Sequence, residues 1–415
     1  MASRQPARTI STGYLARAVL IVLATLGMLW FSTAITWSRV AAGTNPGAAL
    51  ALWSVDADAR AQQAAQLLVV QGGRPDITRA LALAQGALQR EPVNVTAARV
   101  LGLIASLGRD NARAERLMAY SEFLSRRDLG TQLWLIESNV GKNDIPGALR
   151  HYDRALRTST DSYDLLIPVL VNAAAEPAVV DRVGDLIATR PPWWSAFAQR
   201  LVESSNNVRA LRTVFWRVNV DVQNQGEREL LAFALNKLVQ LGDPRGAFAL
   251  YVRARHLRGD GPLLRDGDFE EEQGFSMFDW TRIDQPGFGA VRQPSRDGSG
   301  NALYLVNDQA RTGEVARQLL LLQPGRYRLS LRAGDVSGDA AARPSVVLRC
   351  AAVGEQMLAE LRLPDADSRG QTAQGEVIVP AGGCPAQWLS INVGATPDGV
   401  SGEAWIDSLS IRRTG

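Results

Sequence analysis

The sequence predicts a multidomain chain, α first and β after: an N-terminal transmembrane helix, an α-solenoid of helical hairpins, and a C-terminal antiparallel β-sandwich. Three observations predict it. No charged residue lies between Arg17 and Arg39, an Asp-plus-small-residue phrase returns at a period of 33 to 34 residues, and beyond Arg258 short β-type runs alternate with Gly, Pro, Asp and Ser.

The charge-free run, Ala18 to Ser38, is dominated by Leu, Ile, Val, Ala, Phe and Trp. At about 1.5 Å per residue it reaches roughly 30 Å, the thickness of a hydrocarbon core. Arg4, Arg8 and Arg17 precede it, which predicts that residues 1–17 are cytoplasmic and that everything after Arg39 is exported. A cleaved secretory signal would export the same residues, but its apolar region spans only about 7 to 15 residues, so an uncleaved anchor is favoured. Together with the Arg- and Ala-rich composition, this predicts a single-pass protein of a bacterial inner membrane with its bulk in the periplasm. Residues 39–55, with Gly43, Asn45, Pro46 and Gly47, read as a juxtamembrane linker.

The 415 residues are enough for several cores, and the net charge is only +3. The basic residues are spread, without a run of five or six, which argues against nucleic acid as a partner.

The repeated phrase occurs at Asp76/Ala80/Ala87, Asp110/Ala114/Ser121 and Asp144/Ala148/Ala155, in steps of 34, and at Asp243/Ala247/Ala254, 99 residues further on. An Asp opening a helix accepts hydrogen bonds from unpaired amides, and small residues one and three turns later let a neighbouring helix approach. About six hairpins are expected over residues 56–258. Their helices fall near 58–70, 76–91, 94–107, 110–126, 128–140, 144–157, 161–175, 178–189, 193–203, 207–218, 225–241 and 243–256.

Further residues extend the phrase. Leu101-Gly102 precedes Asp110, Tyr152 and Tyr251 stand eight after their Asp, Pro92 stands sixteen after Asp76, and two copies share Gly147/Gly246 and Arg154/Arg253. The pattern resembles the tetratricopeptide repeat (TPR). Stacked hairpins of that kind imply a concave surface for a protein partner. Arg113, Arg150, Arg154 and Arg253 on second helices are the candidate partner-binding residues. Trp193 and Trp194, after two prolines and hard to bury together, join them.

Beyond residue 262 the strand candidates are 263–270, 278–283, 289–292, 301–306, 315–322, 325–333, 345–351, 356–363, 374–379, 386–393 and 403–411, a density that indicates a β-sandwich over 262–415. Both cysteines, Cys350 and Cys384, lie here, and in an exported domain they are expected to form one disulfide.

The opening phrase Leu264-Arg265-Asp266-Gly267-Asp268-Phe269-Glu270, with Phe278-Asp279-Trp280, resembles the first strand of the jelly-roll modules of carbohydrate-binding and galactose-binding-like families. The closing phrase Trp405-Ile406-Asp407-Ser408-Leu409-Ser410-Ile411 resembles their last strand. That resemblance implies a structural calcium held by Asp268, Glu270 and Asp407. It also implies a glycan-stacking face, for which Trp280, Tyr304 and Trp388 are the candidate rings, although their alternation with polar neighbours also suits the core.

No catalytic residue emerges. His151 and His256 stand in no metal-ligand spacing, and neither a Gly-x-Ser-x-Gly elbow nor a phosphate-cradling Gly-Lys-Ser/Thr loop is present. No cofactor is required by the pattern. The expected function is a non-catalytic, membrane-anchored periplasmic scaffold whose array binds a protein partner in cell-surface polysaccharide assembly or export. The alternatives are a glycan-binding receptor or a glycan-active enzyme acting through the sandwich.

Overall fold

The computed structural model describes residues 12–69, 75–257, 263–271, 274–296, 300–307, 311–351, 356–394 and 404–414, with side chains from residue 23 onward. The first eleven residues of the segment 1–17, the Gly72-Gly73 break and the boundary at 259–262 lie outside them. Among the described residues, fourteen α-helices precede eleven β-strands, and every strand pairing is antiparallel. The chain divides into two compact units, Met1–Leu166 and Ile167–Gly415.

The first unit holds α1 (Thr12–Ala42), α2 (Pro46–Leu52), α3 (Ala57–Leu68), α4 (Ile77–Arg90), α5 (Val95–Leu107), α6 (Asn111–Leu124), α7 (Leu129–Gly141) and α8 (Ile145–Thr158). On α1, Leu26, Leu29, Trp30 and Trp37 are exposed. Among the described residues no helix is long and apolar enough to cross a membrane. The segment read as a linker contains α2, because Asn45 caps it and Pro46 occupies the first turn, where its missing amide has no cost.

Pairwise packing of α3 with α4, α5 with α6, and α7 with α8 follows from the repeated phrase. Asp76, Asp110 and Asp144 each cap a second helix, accepting from the amides of Arg79, Arg113 and Gly147 at 3.0, 3.1 and 3.0 Å. Asp56, Asn94 and Asp128 do the same for the first helices. Ala80, Ala87, Ala114, Ser121, Ala148 and Ala155 are all buried. Gly102 packs against α6 closely enough that a Cβ there would stand 3.0 Å from Met118 Cε, which would have to shift by a few tenths of an ångström.

The second unit takes most of α9 (Tyr163–Ala173), then α10 (Pro177–Ile187), α11 (Trp194–Ser204), α12 (Val208–Val218), α13 (Gln225–Gln240) and α14 (Pro244–Ala254). Asn207, Asn224 and Asp243 cap α12, α13 and α14. The strands are β1 (Thr281–Arg282), β2 (Asp284–Gln285), β3 (Phe288–Pro294), β4 (Asn301–Asn307), β5 (Gly313–Leu320), β6 (Gly325–Gly334), β7 (Ser345–Cys350), β8 (Met357–Arg362), β9 (Gln371–Val379), β10 (Gln387–Val393) and β11 (Trp405–Arg413).

They form two sheets, ordered β1-β5-β10-β7-β8 and β2-β3-β4-β11-β6-β9. Their facing sides bury Val315, Leu320, Val346, Leu348, Leu389 and Ile391 from one sheet against Leu303, Leu305, Leu329, Leu331, Val377 and Ile406 from the other. A disulfide joins Cys350 at the end of β7 to Cys384 ahead of β10.

The expected strand over 263–270 does not form. Asp266 and Phe269 adopt positive φ (47° and 54°), which breaks an extended run. The segment makes a turn that docks on β11 at its irregularity between Asp407 and Ser410, where Leu409 N donates to Gly267 O at 2.7 Å. Any side chain at Gly267 would collide with Leu409 O.

Candidate binding cleft

Within the second unit, the turn before β1 is locked to α14 by a buried polar cluster. Asp279 is 5% exposed; its Oδ1 accepts from Tyr251 Oη at 2.5 Å, and its Oδ2 accepts from the amides of Phe275 and Ser276 at 3.1 and 3.2 Å. Arg255 and Arg265 approach Oδ1 at 3.7 and 3.6 Å, and both also donate to Glu271. Burial, followed by the Asp279 charge, holds the Tyr251 phenol well above its ordinary value, so it remains a donor. Phe248, Tyr251, Phe275 and Phe278 pack their rings around the same point, with centroids 5.2 to 6.0 Å apart.

The lock places α13 and α14 as one wall of a cavity of about 1200 Å³. Asn236, Gln240 and Pro244 come from the helices, Phe275 and Met277 from the locked turn, and Arg282, Arg317 and Trp388 from the β1-β5-β10 sheet. Strand alternation explains the last two. In β10, Gln387, Leu389 and Ile391 point inward and are fully buried, which turns Trp388 outward, where it is half-buried. On β5, Arg317 pairs with Ser390, one step diagonal from Trp388, and its guanidinium lies 4.6 Å from the Trp388 ring centroid.

Gln387 anchors the strand beneath. Its Oε1 accepts from Leu322 N and its Nε2 donates to Cys384 O, both at 2.8 Å, so the disulfide loop and the platform strand are fixed together. The lining is amphipathic, with a flat ring and aliphatic side chains among amides, three arginines (Arg282, Arg292, Arg317) and Asp284. Such a surface suits a hydroxyl-rich ligand with apolar ring faces better than a purely apolar one.

The three candidate rings do not share a face. Trp280 is 8% exposed, its indole N–H donating to Asp266 O at 2.9 Å, and it lines the same cavity as Trp388. Tyr304 is buried on the other sheet against Ala302 and Trp405. The Arg317–Trp388 pairing was missed because diagonal neighbours depend on strand register.

The calcium ligands do not converge either. Glu270 accepts from Asn301 N at 2.7 Å and from Asn301 Nδ2 at 2.5 Å, and these bonds hold its carboxyl below the ordinary value. Asp407 Oδ1 accepts from Ser408 N, and burial raises its carboxyl. Among the described residues no group of three or more His, Cys, Asp or Glu is placed to hold a metal ion. Asp268 lies near enough to Asp407 for its charge to help raise that carboxyl, while Glu270 is bonded to Asn301 at the start of β4.

The partner-binding candidates separate in the same way. Arg113 and Arg150 are exposed, but Arg154 is tied to Glu122, and Arg253 lies 4.6 Å from the Trp216 ring centroid. Trp193 and Trp194 are 0% and 8% exposed and offer no free surface. Trp193 packs edge-on against Phe197, and Trp194 lies under the Arg190 guanidinium, whose Nη1 donates to Val218 O. His151 is buried, with Nδ1 2.8 Å from Gln132 Oε1; burial lowers it, against the pull of Glu122.

No protein-family model and no curated protein matches the sequence. Among solved structures, the C-terminal sandwich is similar to one described as "CBM4 structure and function", at 15% identity over 36% of this chain and 99% of that one, with a TM-score of 0.27. A family 16 carbohydrate binding module matches at 14% identity over 36% of this chain and 99% of that one, TM-score 0.27. TmCBM61 in complex with β-1,4-galactotriose matches at 13% identity over 37% of this chain and all of that one (100%), TM-score 0.26. At these values the likeness says nothing of what this chain binds.

Proposed function

We propose that this protein is a non-catalytic, membrane-anchored carbohydrate-binding protein that holds a glycan segment in the cleft of its second unit. The observation that carries this reading is the half-buried Trp388 ring, with Arg317 stacked on it, set in a roughly 1200 Å³ cavity with a mixed apolar and hydrogen-bonding lining. A pyranose stacks its apolar face on the side of such a ring that the guanidinium leaves open, while amides and guanidiniums take its hydroxyls.

Residues 18–38 act as the anchor, with the N-terminus in the cytoplasm of a bacterium and the remainder in the periplasm; the exposed apolar residues of α1 support this. The capped hairpins form a TPR-like arm whose exposed Arg113 and Arg150 recruit a protein partner. Scaffold and glycan holder then work together in cell-surface polysaccharide assembly or export.

The test uses the full chain in nanodiscs of zwitterionic lipid and a panel of neutral hexasaccharides. Binding without new reducing ends fits the proposal. Depolymerisation would make the protein an enzyme, and no binding to any neutral glycan would remove the cleft reading.

A further inference from the structure

The second sheet carries an unexplained charge pattern on its outer face. Along β6, Tyr327, Leu329 and Leu331 point inward and are buried, while Arg326 and Arg328 point out and are exposed. Arg412 on β11 is exposed as well and pairs directly with Arg328 across the strands. Among the described residues, the side chains of Arg326, Arg328 and Arg412 take part in no ion pair or hydrogen bond. Glu376 on β9 stands opposite Arg328 without forming an ion pair, and Ile378 stands opposite Arg326.

Like charges directly across a strand pair destabilise it, and Glu376 on the other side of Arg328 is the one opposite charge in register with the three arginines, so the face keeps an excess of positive charge. An anionic ligand would offset that excess. Guanidiniums select carboxylates by bidentate geometry, and free ones on a flat face leave that geometry open.

The neighbouring outward positions decide between a polymer and a lipid surface. Ser330, Ser410 and Gln374 continue the strip, and Ile378 is its one exposed large apolar side chain. Stable docking on a membrane adds buried apolar area to the charge attraction, and here Ile378 alone would supply it, whereas a row of hydroxyls and amides suits a hydroxyl-bearing chain.

We propose that the outer face of β6 and β11, through Arg326, Arg328 and Arg412, is a second glycan site that binds a carboxylate-bearing polysaccharide. No residue of β6 or β11 lines the cleft, and the site does not depend on the cleft being occupied.

The test measures binding of oligogalacturonate, and of its neutral methyl ester, to the full chain in zwitterionic nanodiscs. The wild type binds the acid and not the ester, more weakly as salt rises. The variant R326Q/R328Q/R412Q keeps the wild-type unfolding midpoint or exceeds it, and loses affinity by about tenfold. Trp388→Ala leaves this affinity unchanged. Equal binding by the triple variant, or no binding of oligogalacturonate to the wild type, overturns the proposal. Capture of phosphatidylglycerol vesicles through the three arginines, without oligogalacturonate binding, would assign the face to a membrane and overturn it too.

Discussion

The hydroxyl of Tyr251 on α14 donates to the buried carboxylate of Asp279 at 2.5 Å, and through this bond the last helical hairpin becomes a wall of the cleft. Tyr251 belongs to the repeated helical phrase and Asp279 to the turn that leads into β1. Tyr251→Phe keeps the ring packing and removes one acceptor interaction from a buried charge. It should cost about 1.5 to 3 kcal/mol in urea unfolding of the full chain. A double-mutant cycle with Asp279→Asn should give a coupling of roughly 0.5 to 3 kcal/mol; additive effects would show that the bond does not join the two elements.

Removing the disulfide acts on a different part of the fold. Cys350 and Cys384 are 34 residues apart, and a loop of about that size lowers the unfolded chain's entropy enough to stabilise the fold by about 3 to 4 kcal/mol. The double Cys→Ala variant should lower the unfolding midpoint of the second unit and leave that of the first unchanged. Calorimetry distinguishes this from a uniform loss.

Asp266 gives the second unit a pH dependence. Burial pushes its carboxyl up to about 6 from an ordinary 3.8, against the backbone amides of Glu271 and Glu270 that favour its charge. A raised carboxyl contributes stability below its unfolded value and loses it as pH rises through its folded one. The unit should therefore lose stability between about pH 4 and pH 6. Asp266→Asn, which tolerates the positive φ at this position, should flatten that part of the profile. An unchanged slope would place the titration elsewhere.

His151 works in the opposite sense in the first unit. Burial holds it below its ordinary 6.5, so its contribution is present above that value and is lost as pH falls through the folded one. Thermal melts of the α7–α8 region, followed by hydrogen exchange, should weaken on acidification. His151→Gln should remove the dependence if its amide takes over the contact with Gln132.

Much of the helical half was legible because each boundary is written locally. An Asp or Asn stands at the N-cap of α2 to α8 and of α12 to α14, and its carboxylate or amide meets the amide three residues on. Asn45 obeys the same rule, yet the Pro-Gly after it reads as a linker. The burial of Trp193 and Trp194 was hidden because it depends on Phe197 and Arg190, contacts that no local spacing announces.

The strands were largely legible from alternation, but their roles were not. Trp280, Tyr304 and Trp405 are buried and Trp388 is half-buried at the cleft, which Trp280 also lines, and residue type alone does not separate them. The turn at Asp266 to Phe269 imitates a strand in composition, and positive φ values, invisible in sequence, reverse that reading. The same turn sends Glu270 to Asn301 and so dissolves the expected calcium constellation.

The most direct test of the cleft reading is the affinity of the full chain for its best-bound neutral hexasaccharide, measured calorimetrically for wild type, Trp388→Ala and Trp388→Phe. The account predicts a loss of roughly tenfold to a hundredfold on truncation to Ala, substantial recovery with Phe, and an unchanged unfolding midpoint for the Phe variant. Undiminished binding by Trp388→Ala would contradict it.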